Sequence, residues 1–401
     1  MPESRSPSSP VRPLVPVLVL GKGMTALGVV RALGRRGVPL YVAGAGDDLV
    51  TGSRWYRALP GKPWNEQSVP DLAARLAALE TDRLVLLPCS DAWAMAVSRL
   101  DPGLHDRFPA AVAATDTLKR LVDKGLFAET LRELKLPHPR TFLLRDAEAL
   151  VSVPEESFRN SFLKPTNSGR FAGEYGVKAI RPSSREAAMS LVGEARAKGL
   201  ELMLQEFIPG PPDRHYFIDG FIDRSGRVRG MFARRRLRMF PAEFGNSTAT
   251  ESIPAAAIQG AEDALRTLLG GISYRGIFSA EFKLDERDGF FKILEVNARP
   301  WWFVGFAAAC GVDVCDMARR DALGEEVEAV LTYPIGRLCV YPRRDLESRV
   351  AQPGQKGVTL SSLVRSWVGA QQLTLSWDDP MPGVRELAGW VPSRLRRKLR
   401  W

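Results

Sequence analysis

Residues 16–44, PVLVLGKGMTALGVVRALGRRGVPLYVAG, combine an apolar run, a glycine turn, a helical pattern and a second apolar run. This order predicts a strand, a helix and a second strand, and two strands joined by a helix lie parallel in one sheet. A buried strand at 83–88 and a helix at 91–100, which Ser90 caps, repeat the pattern. We therefore expect a small α/β domain over residues 14–113.

The segment DTLKRLVDKGLFAETLRELK has apolar residues at helical spacing. It is predicted to form one helix that Thr115 or Asp116 caps and that Pro137 stops. This helix marks the beginning of a new domain.

Short strands and glycine turns dominate from Thr141 onward, interrupted by a helix at 184–198. This mixture indicates an α+β arrangement with antiparallel sheet. Residues 114–330 therefore form the second predicted domain, and residues 331–401 are predicted to be a basic segment packed on it or appended to it. Residues 1–13, which are rich in serine and proline, are expected to be a disordered leader.

The composition excludes several classes of protein. The longest apolar stretch, residues 301–312, is shorter than the roughly 20 residues of a transmembrane helix, so we expect a cytoplasmic protein without a membrane span. Only three histidines and four scattered cysteines occur, which argues against a disulfide scaffold, structural zinc and Ser-His or Cys-His catalysis. His215 is expected in a polar loop. The net charge is +10, but the sequence contains no nucleic-acid-binding motif, so we predict no nucleic acid partner.

The glycine turn at Gly21, Gly23 and Gly28 has two interpretations. With Ala26 it fits the G-x-G-x-x-A form of dinucleotide-binding turns, which would indicate an NAD-linked oxidoreductase. The second predicted strand, however, ends in small residues where an NAD site places an acidic side chain for the ribose. A tight turn that lets helix and strand pack closely explains the glycines as well, and both interpretations stay open.

Residues 278–300, FSAEFKLDERDGFFKILEVNARP, are predicted to form a β-hairpin. Alternation places Glu281 on the polar face of the first strand. Pairing around a turn near Asp288 sets Glu281 opposite Glu295, where two like charges would repel each other. A cation is therefore expected between them.

The returning strand is predicted to place Glu295 and Asn297 on the same face as the apolar Phe291 and Ile293. Two carboxylates and an amide oxygen in apolar surroundings form a hard-oxygen site suited to magnesium. A solvated face, on which lysines of the hairpin pair with the carboxylates, is the alternative.

Two further segments suit a nucleotide. Lys164 ends a predicted strand and precedes TNSGRFAGEYG, which is predicted to be a mobile glycine hairpin over residues 166–176 with backbone N–H groups for polyphosphate. The strand at 202–206 leaves into a Pro-Gly break and reaches Asp213. Open backbone groups at such a break can contact an adenine edge, and a carboxylate beyond it can hold ribose. An ordinary hairpin and an ordinary strand end would look similar.

Residues 224–238 hold seven basic and no acidic side chains. Alternation predicts Arg234, Arg236 and Arg238 on one strand face, where guanidinium forks suit a carboxylate or an acyl phosphate. A charged edge strand is the alternative. At the C-terminus, a basic amphipathic helix interrupted by Pro392 is predicted to pack on the second domain, with an acidic partner or a membrane surface as alternatives.

Five segments in order, LVDKGLF, FLKPTNSG, LQEFIPG, AEFKLD and LEVNARP, resemble the ATP-grasp superfamily, in particular carboxylate–amine ligases of the D-aspartate ligase and carbamoyl-phosphate synthetase type. The resemblance covers residues 14–325 and implies an α/β and α+β chain, with an ATP-grasp fold after a small parallel-sheet (pre-ATP-grasp) domain. It implies an ADP-forming ligase that activates a small carboxylate as an acyl phosphate and joins it to an amine. A nucleotide-binding ATP-grasp protein without ligase activity is the alternative.

The resemblance also implies roles for the matching side chains. ATP would be held by Lys124, Lys164, the lid residues Ser168 and Gly169, Gln205, the Glu206 carbonyl, the Ile208 amide and, at the ribose, Asp213. One or two Mg²⁺ ions, with Mn²⁺ as an alternative, would be bound by Glu281, Glu295 and Asn297. The transferred phosphate would be stabilised by Arg299. Arg236 is the candidate for binding either the acyl phosphate or the substrate carboxylate. The implied partners are small-molecule carboxylates and amines, with a homodimer as a further expectation.

Overall fold

The structure is a computed structural model that describes residues 14–44, 48–61, 64–144, 148–151, 153–166, 168–177, 179–241, 244–351 and 359–398. Within these ranges the chain forms a three-stranded parallel sheet, a three-stranded antiparallel sheet and a seven-stranded sheet. None of the helices in these ranges is long and apolar enough to cross a membrane. The predicted leader, residues 1–13, lies outside the described residues.

The predicted parallel sheet lies in the first part of the chain. Its strands are β1 (Val17–Leu20), β2 (Leu40–Ala43) and β3 (Val85–Pro88), in the spatial order β2-β1-β3. Its helices are α1 (Gly23–Arg35), α2 (Leu72–Ala77) and α3 (Asp91–Val97). The Ser90 hydroxyl accepts a hydrogen bond from the Trp93 backbone N–H and so caps α3, as predicted. Alternate residues of β1 enter two different apolar cores, so this sheet is buried on both faces.

The glycine turn between β1 and α1 serves close packing. A Cβ on Gly21 would lie 2.8 Å from the Cβ of Cys89, and a Cβ on Gly28 would lie 2.8 Å from a methyl group of Val304. Both distances are too short for any side chain without movement of the neighbour. The geometry therefore favours the packing interpretation of this turn over the dinucleotide one.

Asp123 divides the predicted long helix into two helices, α4 (Thr115–Val122) and α5 (Lys124–Glu133). The Asp123 carboxylate accepts hydrogen bonds from two backbone N–H groups at the start of α5, at 2.8 and 2.9 Å. The prediction of one continuous helix was wrong because this capping begins a new helix. The predicted cap was wrong too, since neither Thr115 nor Asp116 caps α4.

The small antiparallel sheet follows. Its strands are β4 (Thr141–Leu144), β5 (Ser161–Pro165) and β6 (Leu202–Glu206), in the order β4-β6-β5. Its helices are α6 (Glu155–Arg159), α7 (Ser168–Tyr175) and α8 (Arg185–Ala197). The predicted glycine hairpin over residues 166–176 was therefore wrong. Phe171 is fully buried and stacks on Tyr175 four residues later, with 4.5 Å between ring centroids, which stabilises a helical turn.

The large sheet contains most of the remaining strands. These are β7 (His215–Ile222), β8 (Val228–Phe240), β9 (Asn246–Ser252), β10 (Gly276–Leu284), β11 (Phe291–Asn297), β12 (Leu338–Val340) and β13 (Gln371–Gln372), in the order β11-β10-β7-β8-β9-β12-β13. One face packs against α9 (Gln259–Gly271). The other face packs against α10 (Val304–Ala309) and α11 (Val314–Ala322) over part of its length. The uncovered part carries polar side chains and forms the floor of a cleft.

A β-bulge at Leu294 changes which side chains of β11 share a face. Ile293 enters the apolar core together with Phe291, whereas Glu295 and Asn297 line the cleft on the opposite side. The prediction of one shared face for these four residues was wrong, because an extra residue in one strand reverses the alternation beyond it.

The C-terminal segment extends the large sheet, since β12 pairs with β9. Its helices are α12 (Pro342–Ala351), α13 (Leu360–Trp367) and α14 (Met381–Lys398). The predicted interruption at Pro392 was wrong, because α14 continues through it with the loss of one backbone hydrogen bond. The Trp390 ring N–H donates to Glu347 of α12 at 3.1 Å. Residues 399–401 lie outside the described part of the chain.

Arg31 of α1 joins the first domain to the C-terminal segment. Its guanidinium donates to the Asp379 carboxylate at 2.9 Å and to the Asp379 carbonyl at 2.7 Å. Two more of its N–H groups donate to the carbonyls of Leu373 and Thr374. Both members of the ion pair are buried, so this contact fixes the loop before α14 against α1.

We expect Arg31→Met to lower the free energy of unfolding by about 3–5 kcal/mol, because it leaves the buried Asp379 carboxylate without its partner. Arg35→Gln is the matched control, since the side chains of Arg35 and its partner Asp378 are 35% and 43% exposed. Loss of that exposed pair should cost less than about 1 kcal/mol. Urea unfolding followed by tryptophan fluorescence measures both changes, and equal effects would contradict the role given to the buried pair.

Candidate active site

A cleft with a volume of about 580 Å³ is lined by residues of α5 and β5–β8 and of β10 and β11. The predicted site residues in its lining are Lys124, Lys164, Gln205, Glu206, Ile208, Arg236, Glu281, Glu295, Asn297 and Arg299. The fold thus brings together side chains that lie far apart in the sequence.

The hairpin of β10 and β11 carries the three predicted metal ligands. Glu281 is paired directly with Glu295, as the sequence predicted, and Ser279 is paired with Asn297. Directly paired residues, and residues two apart in one strand, project from the same face of a sheet. The two carboxylates and the amide therefore lie side by side on the cleft floor.

His215 and Arg236 hold the Glu281 carboxylate in place. His215 Nδ1 and an Arg236 Nη2 lie 2.8 and 3.0 Å from the same oxygen, Glu281 Oε1. Burial raises the pKa of Glu281, but Arg236 and the His215 hydrogen bond outweigh it and lower the pKa to about 2. Glu281 is therefore ionised at neutral pH, as a metal ligand must be.

His215 is a site residue that the sequence did not reveal. It was expected in a polar loop, but it is the buried first residue of β7. Burial lowers its pKa to about 4 despite the hydrogen bond to Glu281, so the imidazole is neutral at neutral pH and can donate a hydrogen bond to the carboxylate. The available signal was alternation along HYFID, which places His215 and Asp219 on one strand face.

The donor set of the hairpin fits a hard divalent cation. Two carboxylates and an amide oxygen on one face are ligands that Mg²⁺ prefers, and water and phosphate oxygens usually complete its coordination. Asn297 accepts a hydrogen bond from Arg299 at 2.8 Å, which fixes the amide oxygen. No group of three His, Cys, Asp or Glu side chains suited to a metal occurs within the described ranges, so the amide is needed to complete this set.

Lys164 of β5 and Lys124 at the start of α5 line the same cleft. Burial and the nearby Lys124 lower the pKa of Lys164 to about 7, against the opposite influence of Glu295 and Glu281. Two lysines near two carboxylates form an arrangement that a Mg²⁺-bound polyphosphate would complete.

Nucleotide binding is expected to take up a proton at Lys164. A polyphosphate favours the ammonium form and raises its pKa above the value of about 7 in the unliganded protein, so above pH 7 the complex holds more protons than the separate partners. The affinity for nucleotide should therefore fall as the pH rises in this range. Calorimetry in buffers with different ionisation heats measures the uptake. Lys164→Arg stays charged and should bind without it, and undiminished uptake in this variant would contradict the assignment.

The predicted adenine contacts lie at the end of β6. Gln205, Glu206 and Ile208 line the cleft there. The Gln205 amide donates to the Thr141 hydroxyl at 3.0 Å, and the Glu206 carboxylate accepts from Arg287 at 2.6 Å. These contacts fix the side chains, so the predicted contacts to a base are the backbone carbonyl of Glu206 and the backbone amide of Ile208.

Three predicted residues are not placed in the cleft lining. Asp213 lies in a short 3-10 helix before β7, and its Oδ1 is buried without a hydrogen-bond partner among the described residues. Ser168 and Gly169 begin α7, but the Ser168 side chain, like the whole of Asn167, lies outside the described part of the chain. The roles of Asp213, Ser168 and Gly169 stay predictions.

The arginines of β8 are divided between two faces. Arg234 and Arg236 line the cleft, whereas Arg238 donates to the Asp345 carboxylate of α12 at 2.8 and 2.6 Å. The strand register shifts between Arg236 and Arg238, so Leu237 is an extra residue and the alternation reverses. The prediction that all three arginines share one face was wrong for this reason.

Arg299 connects the cleft floor to the first domain. Its Nε donates to the Asp91 carboxylate in the first turn of α3 at 2.8 Å, and its Nη2 donates to Asn297. Asp91 also lines the cleft. It was not predicted as a site residue, because its position after Ser90 signals only the start of a helix.

Known proteins with related sequences are ligases. Over 337 residues the chain is 25% identical to the D-aspartate ligase of Enterococcus faecium, which covers 80% of this chain and 79% of that protein. Over 202 residues it is 25% identical to the tetrahydromethanopterin:alpha-L-glutamate ligase of Methanocaldococcus jannaschii, covering 50% of this chain and 66% of that protein. No protein-family model matches the chain.

Solved structures share the fold. The carboxyaminoimidazole ribonucleotide synthase of Aspergillus clavatus, complexed with ATP, has a TM-score of 0.63 at 14% identity and covers 86% of this chain and 90% of that chain. The biotin carboxylase of Campylobacter jejuni has a TM-score of 0.61 at 17% identity and covers 81% and 74%. These likenesses confirm the predicted ATP-grasp fold with its N-terminal parallel-sheet domain. The chain thus has the ATP-grasp fold. Among proteins of this fold, its sequence is similar to that of ADP-forming carboxylate–amine ligases.

Proposed function

We propose that the chain activates a small carboxylate as an acyl phosphate and joins it to an amine, such as an amino acid or a peptide, with release of ADP and phosphate. The observation that carries this proposal is the direct pairing of Glu281 with Glu295, beside Asn297, in a cleft that Lys164 also lines. The relatives in sequence, which are named as ligases of aspartate and glutamate, support the same chemistry.

In this proposal one end of the cleft holds ATP. The residues that would bind its phosphates are Lys124, Lys164, Ser168 and Gly169. The adenosine would be bound by Gln205, Glu206, Ile208 and Asp213. Bound Mg²⁺ would neutralise charge on the phosphates, and the side chains that would hold it are Glu281, Glu295 and Asn297.

Two bond exchanges complete the reaction. First, a carboxylate oxygen of the substrate bonds to the γ-phosphorus while the bond from that phosphorus to the bridging oxygen breaks, and the electron pair stays on ADP. Second, the amine nitrogen bonds to the acyl carbon, phosphate leaves with the electrons of the carbon–oxygen bond, and the nitrogen loses a proton. Such transfers depend on positioning and on neutralised charge. Arg236 and Arg299 line the cleft where they would stabilise the transferred phosphate.

The test is nucleotide analysis with paired carboxylates and amines. We expect ADP and phosphate in equal amounts, and only when both substrates are present. Release of AMP and pyrophosphate would contradict the acyl-phosphate mechanism. A cytoplasmic location, a homodimer and the use of Mn²⁺ in place of Mg²⁺ belong to the same proposal, and sedimentation and metal replacement test the last two.

A further inference from the structure

Two buried N–H groups in the cleft lack an acceptor. The side chain of Arg234 is 3% exposed, and its Nη1 has no hydrogen-bond partner among the residues that the structure describes. The indole Nε1 of Trp301, a residue 4% exposed, also has no hydrogen-bond partner among the described residues. Both residues line the cleft. A donor that loses water without gaining an acceptor is costly, so these atoms indicate a ligand with acceptor oxygens.

The Arg234 guanidinium is held rigidly before any ligand binds. Its Nε donates to Asp219 at 2.7 Å, and the Ser279 hydroxyl donates to the same carboxylate at 2.6 Å. The guanidinium carbon lies 3.7 Å from the ring centroid of Phe217 and 5.1 Å from that of Phe303. A stacked guanidinium keeps its N–H groups in a fixed plane, which suits recognition of a carboxylate.

The other arginines in the cleft lining already contact carboxylates. Arg236 contacts Glu281, and Arg299 contacts Asp91. Of the arginines that line the cleft in the described part of the chain, Arg234 is the one with a buried N–H that has no acceptor. In the proposed function two of the lining lysines serve the phosphates, and the third donates to a backbone carbonyl at 3.0 Å. The cleft therefore provides for one substrate carboxylate rather than two.

Aromatic side chains surround Arg234 in the cleft. Phe217 and Phe303 lie against its guanidinium, and Trp301 and Trp302, which precede Phe303 in the sequence, also belong to the lining. Such walls bind apolar or planar groups. Ser279, which contacts the partner of Arg234, precedes Glu281 by two residues on β10, or about 7 Å along a strand. The aromatic compartment therefore adjoins the predicted metal site, where a substrate carboxylate must meet the γ-phosphate.

We infer, on the basis of the proposed ligase function, that the carboxylate substrate is a monocarboxylic acid with an apolar or aromatic body. Its carboxylate accepts hydrogen bonds from Arg234 Nη1 and Trp301 Nε1, and its body lies against Phe217, Trp302 and Phe303. A second carboxylate, as in aspartate, would be buried in this compartment without a cation.

Hydroxylamine trapping tests the inference without knowledge of the amine, because hydroxylamine converts an acyl phosphate into a hydroxamate. The full chain is assayed with ATP, Mg²⁺, hydroxylamine and one carboxylic acid at a time. The first group of acids is phenylalanine, leucine and 3-phenylpropionate, and the second group is aspartate, glutamate and succinate. We expect kcat/KM to be at least about tenfold higher for the first group. A preference for the dicarboxylates would overturn the inference and leave the proposed function intact. Absence of hydroxamate and ADP with every acid would overturn the proposed function and the inference with it.

Trp301→Phe isolates the indole N–H, because it keeps an aromatic ring and removes the donor. The KM for the carboxylate should rise about tenfold while the KM for ATP stays unchanged. Arg235→Gln is the matched control, since Arg235 lies on the opposite face of β8 and pairs with Glu251 at 2.5 Å. It should change neither KM. An unchanged carboxylate KM in Trp301→Phe would overturn the proposed contact.

Discussion

Replacement of Glu295 by glutamine is expected to lower kcat by about a thousandfold, because it removes one of the two carboxylates that would hold Mg²⁺, an effect worth several kcal/mol. Glu295 is exposed to the cleft and lies opposite Glu281. The substitution therefore leaves no buried group without a partner, and the fold should persist. ADP release measures kcat, and circular dichroism with thermal unfolding checks the fold.

Asp288→Asn is the matched control for this carboxylate. Asp288 lies in the turn of the same hairpin, its side chain is 40% exposed, and it pairs with Lys292. Its replacement should change kcat by less than about twofold, as is usual for a surface position. Undiminished turnover in Glu295→Gln would remove Glu295 from the proposed metal site and leave the fold assignment unaffected.

The hairpin shows how far sequence reasoning reached and where it stopped. Alternation and the turn predicted the pairing of Glu281 with Glu295, since both signals are local. The bulge at Leu294 was not predicted, and neither was the one at Leu237. A bulge adds one residue of no particular type, and leucine gives no sign of it. Yet each bulge decides which side chains of its strand reach the cleft.

Long-range contacts account for the residues that were missed. His215 contacts a carboxylate 66 positions away, and Asp91 contacts a guanidinium 208 positions away. One sequence gives no distance between such residues, so each could be assigned only by its neighbours. The scarcity of histidine argued against a Ser-His or Cys-His system, which stays a prediction, and the same scarcity drew attention away from a neutral histidine that positions Glu281.

The ends of helices were the least predictable part of the fold. Asp123 begins a new helix inside a sequence whose apolar spacing is continuous, because a capping carboxylate outweighs periodicity at that point. In α7 the glycines suggested a hairpin, but burial of Phe171 in the apolar core beside the small antiparallel sheet favours a helix. In both places a contact with neighbouring backbone or core decided between two local structures that the sequence allowed.

Arg299→Gln is expected to lower kcat by about a hundredfold to a thousandfold, the usual effect of removing a group that stabilises transition-state charge. Arg299 lines the cleft beside the predicted metal ligand Asn297. The KM for ATP should change little, because the proposed contacts to the nucleotide come from α5, β5, α7 and the segment from β6 to Asp213. Arg320→Gln is the control, since this arginine of α11 pairs with Glu325 and is not part of the cleft lining. Equal kcat values in both variants would contradict the role of Arg299.

Asp91→Asn should lower kcat by a smaller factor, roughly tenfold, because Asp91 orients Arg299 from the first domain. If Asp91 acts only through Arg299, the double variant should be as slow as Arg299→Gln alone, since no guanidinium remains to be oriented. Multiplied effects would instead mean that Asp91 contacts a substrate itself. If the double variant is no slower than Arg299→Gln, Asp91 of α3 acts by holding Arg299. The parallel-sheet domain would then contribute to phosphoryl transfer, because it positions the arginine that stabilises the transferred phosphate.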